Sequence, residues 1–468
     1  MKAPAQTSLD ALFAPRVIAV IGASDAPDKI GGIIYRNLLR TYAKVYPVHP
    51  SIQEIEGRPV YTSVKEVPET IDLAVIATPV HVAVQVARAC AEKRVRVMIP
   101  VAAGFREVGP EGAALEQELV AAARAGGVRV LGPNTLGVFV PGRQLDTIFV
   151  EHGDRSLLPG GPVAFITQSG SVGVEALGLA SFSGFGLRAF VGLGNKADID
   201  EIELARYFGD DPETGCLAFY LETFSDGRTF LSVCREIAAT KPVVILKAGR
   251  SPTGASAVAS HTGALTGSDR VVDGAFRQHG ILRALDDEAL VDSAKVLSQC
   301  PPARGHRVAV LGPAGGYGVM AADYIEAIDR PFPLTLARLS SETQQHIQSV
   351  VPSYASVHNP IDLTASVTND MYVEVLQTLC EAREVDVVLA IVFLAPPGVD
   401  EELIPRMAEI IRSAPKPVVI FSMYGPWTER YLHEFYRLGV AAFPSIYRAA
   451  RAIRVLVERG ILLRRMEE

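Results

Sequence analysis

Short runs of apolar, β-branched residues alternate along the chain with longer stretches rich in Ala and Leu. The runs include residues 17–21 (VIAVI), 73–77 (LAVIA), 163–166 (VAFI), 216–221 (CLAFYL), 243–246 (VVIL) and 308–311 (VAVL). Strands of this length separated by helical patterns predict βαβ units and parallel sheets. Two Gly/Pro-rich breaks interrupt the alternation, residues 153–162 (GDRSLLPGGP) and 300–306 (CPPARGH), and each precedes a fresh apolar strand. Cutting there gives blocks 1–153, 154–303 and 304–468. Each block opens alike, with a strand running into a Gly-bearing turn and a helix. The turns are Gly22-Ala23-Ser24, Gln168-Ser169-Gly170-Ser171 and Gly312-Pro313-Ala314-Gly315-Gly316. The fold class expected is α/β, with three successive doubly wound parallel-sheet domains.

Bulk properties narrow the classes. A chain of 468 residues has room for about three ordinary domains. The net charge of −7 is mild, and Lys and Arg are dispersed, so no nucleic-acid surface is expected. The five cysteines show neither a C-x-x-C pair nor metal spacing, which predicts reduced thiols and a cytoplasmic location. Residues 1–10 lack an apolar leader, and residues 387–396 are too few to span a bilayer, so no membrane association is expected.

Candidate chemistry gathers at strand ends, which in a parallel sheet share the carboxyl edge where ligands bind. The first glycine turn resembles half of a dinucleotide fold, and its helix start favours phosphate. It lacks the full G-x-G-x-x-G spacing, however, and the strand at residues 44–48 is followed by His49-Pro50 with no acidic residue for a ribose. An NAD-linked dehydrogenase is disfavoured on that ground. In the second block, Ser169, Gly170 and Ser171 offer hydroxyls and backbone donors at a helix start, an anion cradle. Glu222 closes an apolar strand at the same edge. His261 lies in Ser260-His261-Thr262-Gly263 after the small-residue stretch 254–259, which reads as a loop presenting an imidazole. A neutral imidazole is a competent nucleophile near pH 7, and Glu222 would fix its tautomer. Asp198 and Asp200 in residues 192–200 (GLGNKADID) invite a Mg²⁺ site, but Asp and Asn are ordinary in turns, and no metal ligands are assigned.

The chain resembles the α subunit of the NDP-forming acyl-CoA synthetases, typified by ADP-forming acetate–CoA ligase and related to succinyl-CoA synthetase. The carrying motifs are GASDAPDKIGG, GPNTLG, ITQSGSVGVEAL, GNKADIDE, SHTGALTGSD and HNPIDLTA, in family order over nearly the whole chain. The resemblance implies a Rossmann-like CoA-binding domain followed by two flavodoxin-like domains, and a phosphohistidine at His261. Glu222 matches the supporting carboxylate, and Ser169, Gly170 and Ser171 match the helix start that holds the phosphoryl group. Gly22, Ser24, Lys29, Val101, Ala102 and Asn134 fall in the CoA-binding stretches. The family often has a lysine where this chain has Ser51, and Lys29 or Arg58 stands as a substitute.

After residue 305 nothing matches an ATP-grasp domain with its nucleotide-binding lysines and Mg²⁺ carboxylates. The resemblance therefore implies an α/β hetero-oligomer, in which an ATP-grasp β subunit supplies the ADP/ATP and Mg²⁺ site while this chain handles acyl-CoA and phosphate. The alternative is a non-catalytic CoA- or acyl-CoA-binding regulator of the same fold, against which an intact His261–Glu222 pair argues.

Overall fold

The computed structural model describes residues 8–150, 160–262, 268–327 and 333–467. By contact it divides into two compact units, Met1–Ser181 with Gly186–Asp287, and Phe182–Phe185 with Glu288–Glu468.

The first unit carries two large sheets. One comprises β1 (Val17–Ile21), β2 (Lys44–Val48), β5 (Leu73–Ile76), β6 (Val97–Pro100) and β7 (Arg129–Val130), all parallel, in the order β2-β1-β5-β6-β7. A small hairpin, β3 (Glu54–Ile55) and β4 (Arg58–Pro59), stands apart from it. The other sheet holds β10 (Gly160–Thr167), β11 (Leu187–Gly192), β12 (Cys216–Leu221), β13 (Val243–Lys247) and β14 (Leu282–Ala284). Its order is β14-β13-β12-β10-β11, extended by the antiparallel pair β8 (Val138–Val140) and β9 (Leu145–Asp146).

In the second unit, β15 (Arg307–Gly312), β16 (Thr335–Leu336), β17 (Ile361–Asp362), β18 (Val387–Ile391), β19 (Val418–Phe421) and β20 (Ala442–Phe443) form a sheet of order β16-β15-β18-β19-β20, with β17 on the end of β15. In local numbering all three parallel cores run 2-1-3-4-5. The chain leaves the first strand on opposite sides for its second and third, and a crevice opens at the carboxyl ends where it diverges.

Burial explains the strand composition. All five residues of β1, β13 and β18 are buried, as expected of strands covered on both faces. The helix Val80–Lys93 turns Ala83, Val84, Ala87 and Cys90 inward at i, i+3, i+4 spacing and ends at Arg94 in the left-handed region. Asp200 and Asp226 begin the helices Glu201–Asp210 and Gly227–Ala238, each side chain accepting two backbone N–H groups. In the second unit, Asn359 of the HNPIDLTA motif completes the β15 ladder. Its Oδ1 accepts from Val310 N–H (2.8 Å), and its Nδ2 donates to Val308 O (2.8 Å) and Ala337 O (3.0 Å).

Asp198 is structural. It is 4% exposed and accepts from Arg129 Nε (2.8 Å), Arg124 Nη2 (2.7 Å) and Val130 N–H (2.8 Å), tying the segment after β11 to β7. Asp198 is thus engaged by two arginines and a backbone N–H, and Asp200 Oδ1 caps a helix. Among the described residues there is no His/Cys/Asp/Glu cluster able to hold a metal, and no helix is long and apolar enough to cross a membrane.

Two stability predictions follow from these contacts. A Cβ at Gly31 would stand 1.9 Å from Gly22 O, where helix Ile30–Leu38 packs on the first glycine turn. Gly31→Ala is expected to cost about 1–3 kcal/mol, read by urea unfolding. Burial pushes the Asp198 carboxyl up, but the bonds from Arg129, Arg124 and Val130 outweigh burial and hold it below its ordinary value. The stability contributed by such a depressed group is fully present above the unfolded value of about 3.9 and is lost as pH falls through the folded value. Asp198→Asn should therefore cost about 2–4 kcal/mol at pH 7, the deficit shrinking below about pH 4. A deficit independent of pH would contradict the assignment.

Candidate functional site

Two of the cavities at the carboxyl edges of the first unit share Val101. The larger, about 820 Å³, lies where the chain diverges from β1. The turn after β1 lines one side with Gly22, Ser24 and Lys29. The ends of β2, β5 and β6 supply His49, Thr78, Val101 and Ala102. Gly22 holds φ +87°, and its N–H donates to Val48 O (2.9 Å), which curls the turn over the strand ends. Among the described residues Thr78 Oγ1 is buried without a hydrogen-bond partner, so a polar group of a ligand would satisfy it. The remaining wall is largely apolar, with Val48, Val82 and Val86. Lys29 lines this cavity, whereas Arg58 lines a different one with Leu38 and Tyr46. Of the two cations proposed to replace the family's lysine, only Lys29 is therefore in place.

The smaller cavity, about 250 Å³, joins both sheets of the first unit. Ser169, Gly170 and Ser171 bring the start of helix Gly170–Ser183 to it. Gln168 and Glu222 come from the ends of β10 and β12, and Asn134 from the GPN turn. Thr167 Oγ1 donates to Ser169 O (2.8 Å) and accepts from Ser169 N–H (3.2 Å), shaping the turn. The first N–H groups of the helix have no intrahelical partner and carry the positive end of its dipole, as an anion requires.

Glu222 is 6% exposed. Gln168 Oε1 accepts its backbone N–H (3.0 Å) and that of Thr223 (3.1 Å), while Gln168 Nε2 donates to Thr223 Oγ1 (3.1 Å). Burial, then the charge of Glu222 and a hydrogen bond to it, push the Tyr220 hydroxyl up to about 12. Tyr220 therefore stays a neutral donor to this carboxylate.

Asn134 sits at φ +55°, and its Nδ2 donates to Asn195 Oδ1 (3.3 Å). Asn195 spends Nδ2 on two carboxylates, Glu107 Oε2 and Glu116 Oε2, both at 2.7 Å. Glu107 also accepts from the N–H groups of Gly104 and Phe105; despite burial these donors hold it below the usual carboxylate range. Burial raises Glu116, against Asn195 and Arg106.

The six residues expected at CoA thus divide. Gly22, Ser24, Lys29, Val101 and Ala102 line the larger cavity, and Asn134 lines the smaller one beside Val101. Ser169, Gly170, Ser171 and Glu222 meet as expected.

The small-residue stretch before His261 is not a loop. It belongs to the helix Pro252–Thr262, which begins with Pro at its first position and carries Ala at 255, 257 and 259. This helix follows β13, the strand beside β12, and its Cα atoms come within 8 Å of those of the Arg106–Val108 turn, which lends Arg106 and Glu107 to the smaller cavity. The His261 side chain lies outside the described residues. Glu107, Asn195, Gln168 and Phe149 also line this cavity and were not singled out from sequence. Of these, Gln168 and Asn195 fall inside quoted motifs, whereas Glu107 and Phe149 carry no local signal.

Residues 16–141 match the CoA binding domain family, and residues 160–297 match the succinyl-CoA ligase like flavodoxin domain family. The chain is 38% identical over 459 residues to the α subunit of ADP-forming acetate–CoA ligase I of Pyrococcus furiosus, covering 96% of this chain and 97% of that one. It is 37% identical over 448 residues to ADP-forming acetate–CoA ligase I of Archaeoglobus fulgidus, covering 96% of this chain and 63% of that longer protein. Dinucleotide forming acetyl-coenzyme A synthetase 1 of Candidatus Korarchaeum cryptofilum, solved in complex with phosphate and ADP, superposes with a TM-score of 0.88 at 34% identity, over 98% of this chain and 99% of that one. The chain belongs to the family of ADP-forming acetate–CoA ligase α subunits.

Proposed function

We propose that the chain is the α subunit of an ADP-forming acyl-CoA synthetase, interconverting acyl-CoA, phosphate and ADP with acid, CoA and ATP. The observation that carries this reading is the adjacency at Val101, a residue that lines both a cavity suited to CoA and one that combines an anion-binding helix start with a buried carboxylate. A thioester entering along the first would present its carbonyl carbon to phosphate held in the second.

The steps balance without an outside reductant or oxidant. A phosphate oxygen attacks the thioester carbonyl carbon, the C–S bond breaks, and CoA leaves as the thiol with acyl phosphate remaining. His261 then attacks phosphorus. The bond between phosphorus and the bridging oxygen breaks, the acid departs with that oxygen, and the phosphoryl group stays on the imidazole. Ser169, Gly170 and Ser171 bind the phosphoryl oxygens through helix-start N–H groups and hydroxyls, and Glu222 stabilises the positive charge that develops on the ring. Positioning and charge stabilisation supply most of the acceleration.

The last transfer, to ADP with Mg²⁺, belongs to an ATP-grasp β subunit, giving an α/β hetero-oligomer. The Pyrococcus furiosus relative, matched over 97% of its length, is named as a subunit alpha, which supports a separate partner subunit. Blocks 1–153, 154–303 and 304–468 would then serve as the CoA-binding, phosphohistidine and third ligase-associated domains. Five free cysteines suit a cytoplasmic enzyme.

Incubating the chain with radiolabelled phosphate, an acyl-CoA panel beginning with acetyl-CoA, and the β partner tests the reading. The expected result is an acid-labile, base-stable label that is absent from His261→Ala and forms on the order of 10²-fold more slowly in Glu222→Gln. A label that persists in His261→Ala would contradict it. CoA binding with no label across the panel would favour the regulatory protein instead.

A further inference from the structure

The GNKADIDE motif contains a lysine that the proposed steps do not use. Lys196 adopts φ +55°, a left-handed conformation that a residue other than glycine holds only when its surroundings impose it. Its side chain is 3% exposed and forms an ion pair with Glu201, which is 0% exposed. Lys196 Nζ donates to Glu201 Oε2 (2.9 Å) and to Thr223 O (2.9 Å). Glu201 in turn accepts Ser225 N–H on Oε1 (2.5 Å) and Ser225 Oγ on Oε2 (3.1 Å).

We propose that Lys196, with Glu201, is a positioning residue for phosphoryl transfer, holding the turn at residues 223–225 and through it the direction in which Glu222 presents its carboxylate to the smaller cavity. The proposal rests on the phosphoryl-transfer reading of that cavity. Two backbone groups of the turn point inward with opposite needs, Thr223 C=O for a donor and Ser225 N–H for an acceptor. A cation and an anion side by side meet both, where an apolar pair would leave both unsatisfied. From the other side, Gln168 holds the N–H groups of Glu222 and Thr223. The backbone that carries Glu222 is thereby pinned before and after it, which a charge acting on a reacting imidazole requires.

A scaffold role alone is the competing reading, and the test separates the two. Lys196→Met strands a buried carboxylate, so the decisive variant is Lys196→Met/Glu201→Leu, which removes both charges. Single-turnover labelling by radiolabelled phosphate and acyl-CoA, CoA affinity by calorimetry and thermal unfolding are measured on wild type, this double variant, Glu222→Gln and the triple variant. The double variant is expected to unfold cooperatively and bind CoA like wild type but to label about 10²-fold more slowly. Adding it to Glu222→Gln should bring no further loss, since Lys196 acts through Glu222. Wild-type labelling by the double variant, multiplicative losses in the triple variant, or loss of CoA binding or cooperative unfolding would each overturn the positioning role. A wild-type chain that takes no label sinks the phosphoryl-transfer reading itself.

Discussion

Four backbone hydrogen bonds from the segment after β11 decide where the two cavities meet. Leu193 N–H reaches Thr167 O (2.7 Å) at the end of β10, and Asn195 N–H, Ala197 N–H and Ile199 N–H reach Pro133 O (2.9 Å), Gly132 O (3.0 Å) and Val130 O (3.0 Å) at the end of β7 and just past it. This ladder joins the carboxyl edge of the second sheet to that of the first. A Cβ at Gly194 would stand 2.3 Å from Pro133 O, so the approach depends on glycine there. With the edges joined, Asn134 of one sheet and Ser169 to Ser171 and Glu222 of the other line a single cavity, and Val101 lines both it and the larger one.

The charges around the smaller cavity suit transfer of a phosphoryl group better than its storage. Among the described residues that line it, a helix start and Arg106 offer anion binding, while Glu107 and Glu222 bring negative charge. In a site of low effective dielectric those carboxylates repel a free phosphate dianion, and under the proposed cycle they would stabilise a ring that becomes cationic as it takes the phosphoryl group. Glu107 is already committed to Asn195 and two backbone N–H groups, so it stabilises the wall of the cavity. Glu222 lines the cavity with its backbone N–H held by Gln168 Oε1.

Much of this arrangement was legible in the residues because a parallel sheet sends every strand end to one edge. Once residues 163–166, 216–221 and 243–246 read as strands, Ser169, Glu222 and the His261 segment had to leave from the same side. Other features had no local signature. Asn195 meets Glu107 across 88 residues of sequence and Glu116 across 79, distances over which periodicity says nothing. Asn134 reads as a CoA residue by its motif, and only the ladder from residues 193–199 moves it to the smaller cavity. The stretch before His261 reads as a loop by its Gly, Ser and Thr content, yet the proline at its start and alternating alanines sustain a helix through Thr262. Likewise β8 and β9 follow the first sheet in sequence but join the second, β8 pairing with β11 and β9 with β8, a choice that two short apolar runs do not announce.

The central claim is that an acyl group passes from sulfur to a phosphate oxygen at the Val101 junction before phosphorus moves to the imidazole. Turnover of acyl-CoA with ¹⁸O-labelled phosphate and ADP, the β partner present, tests it most directly by mass analysis of the released acid. The account predicts one phosphate-derived oxygen in each acid molecule, because the bridging oxygen of the acyl phosphate leaves with the acyl group. Acid that carries only solvent oxygen, formed while CoA is released, would mean that water and not phosphate attacks the thioester, and would contradict the account.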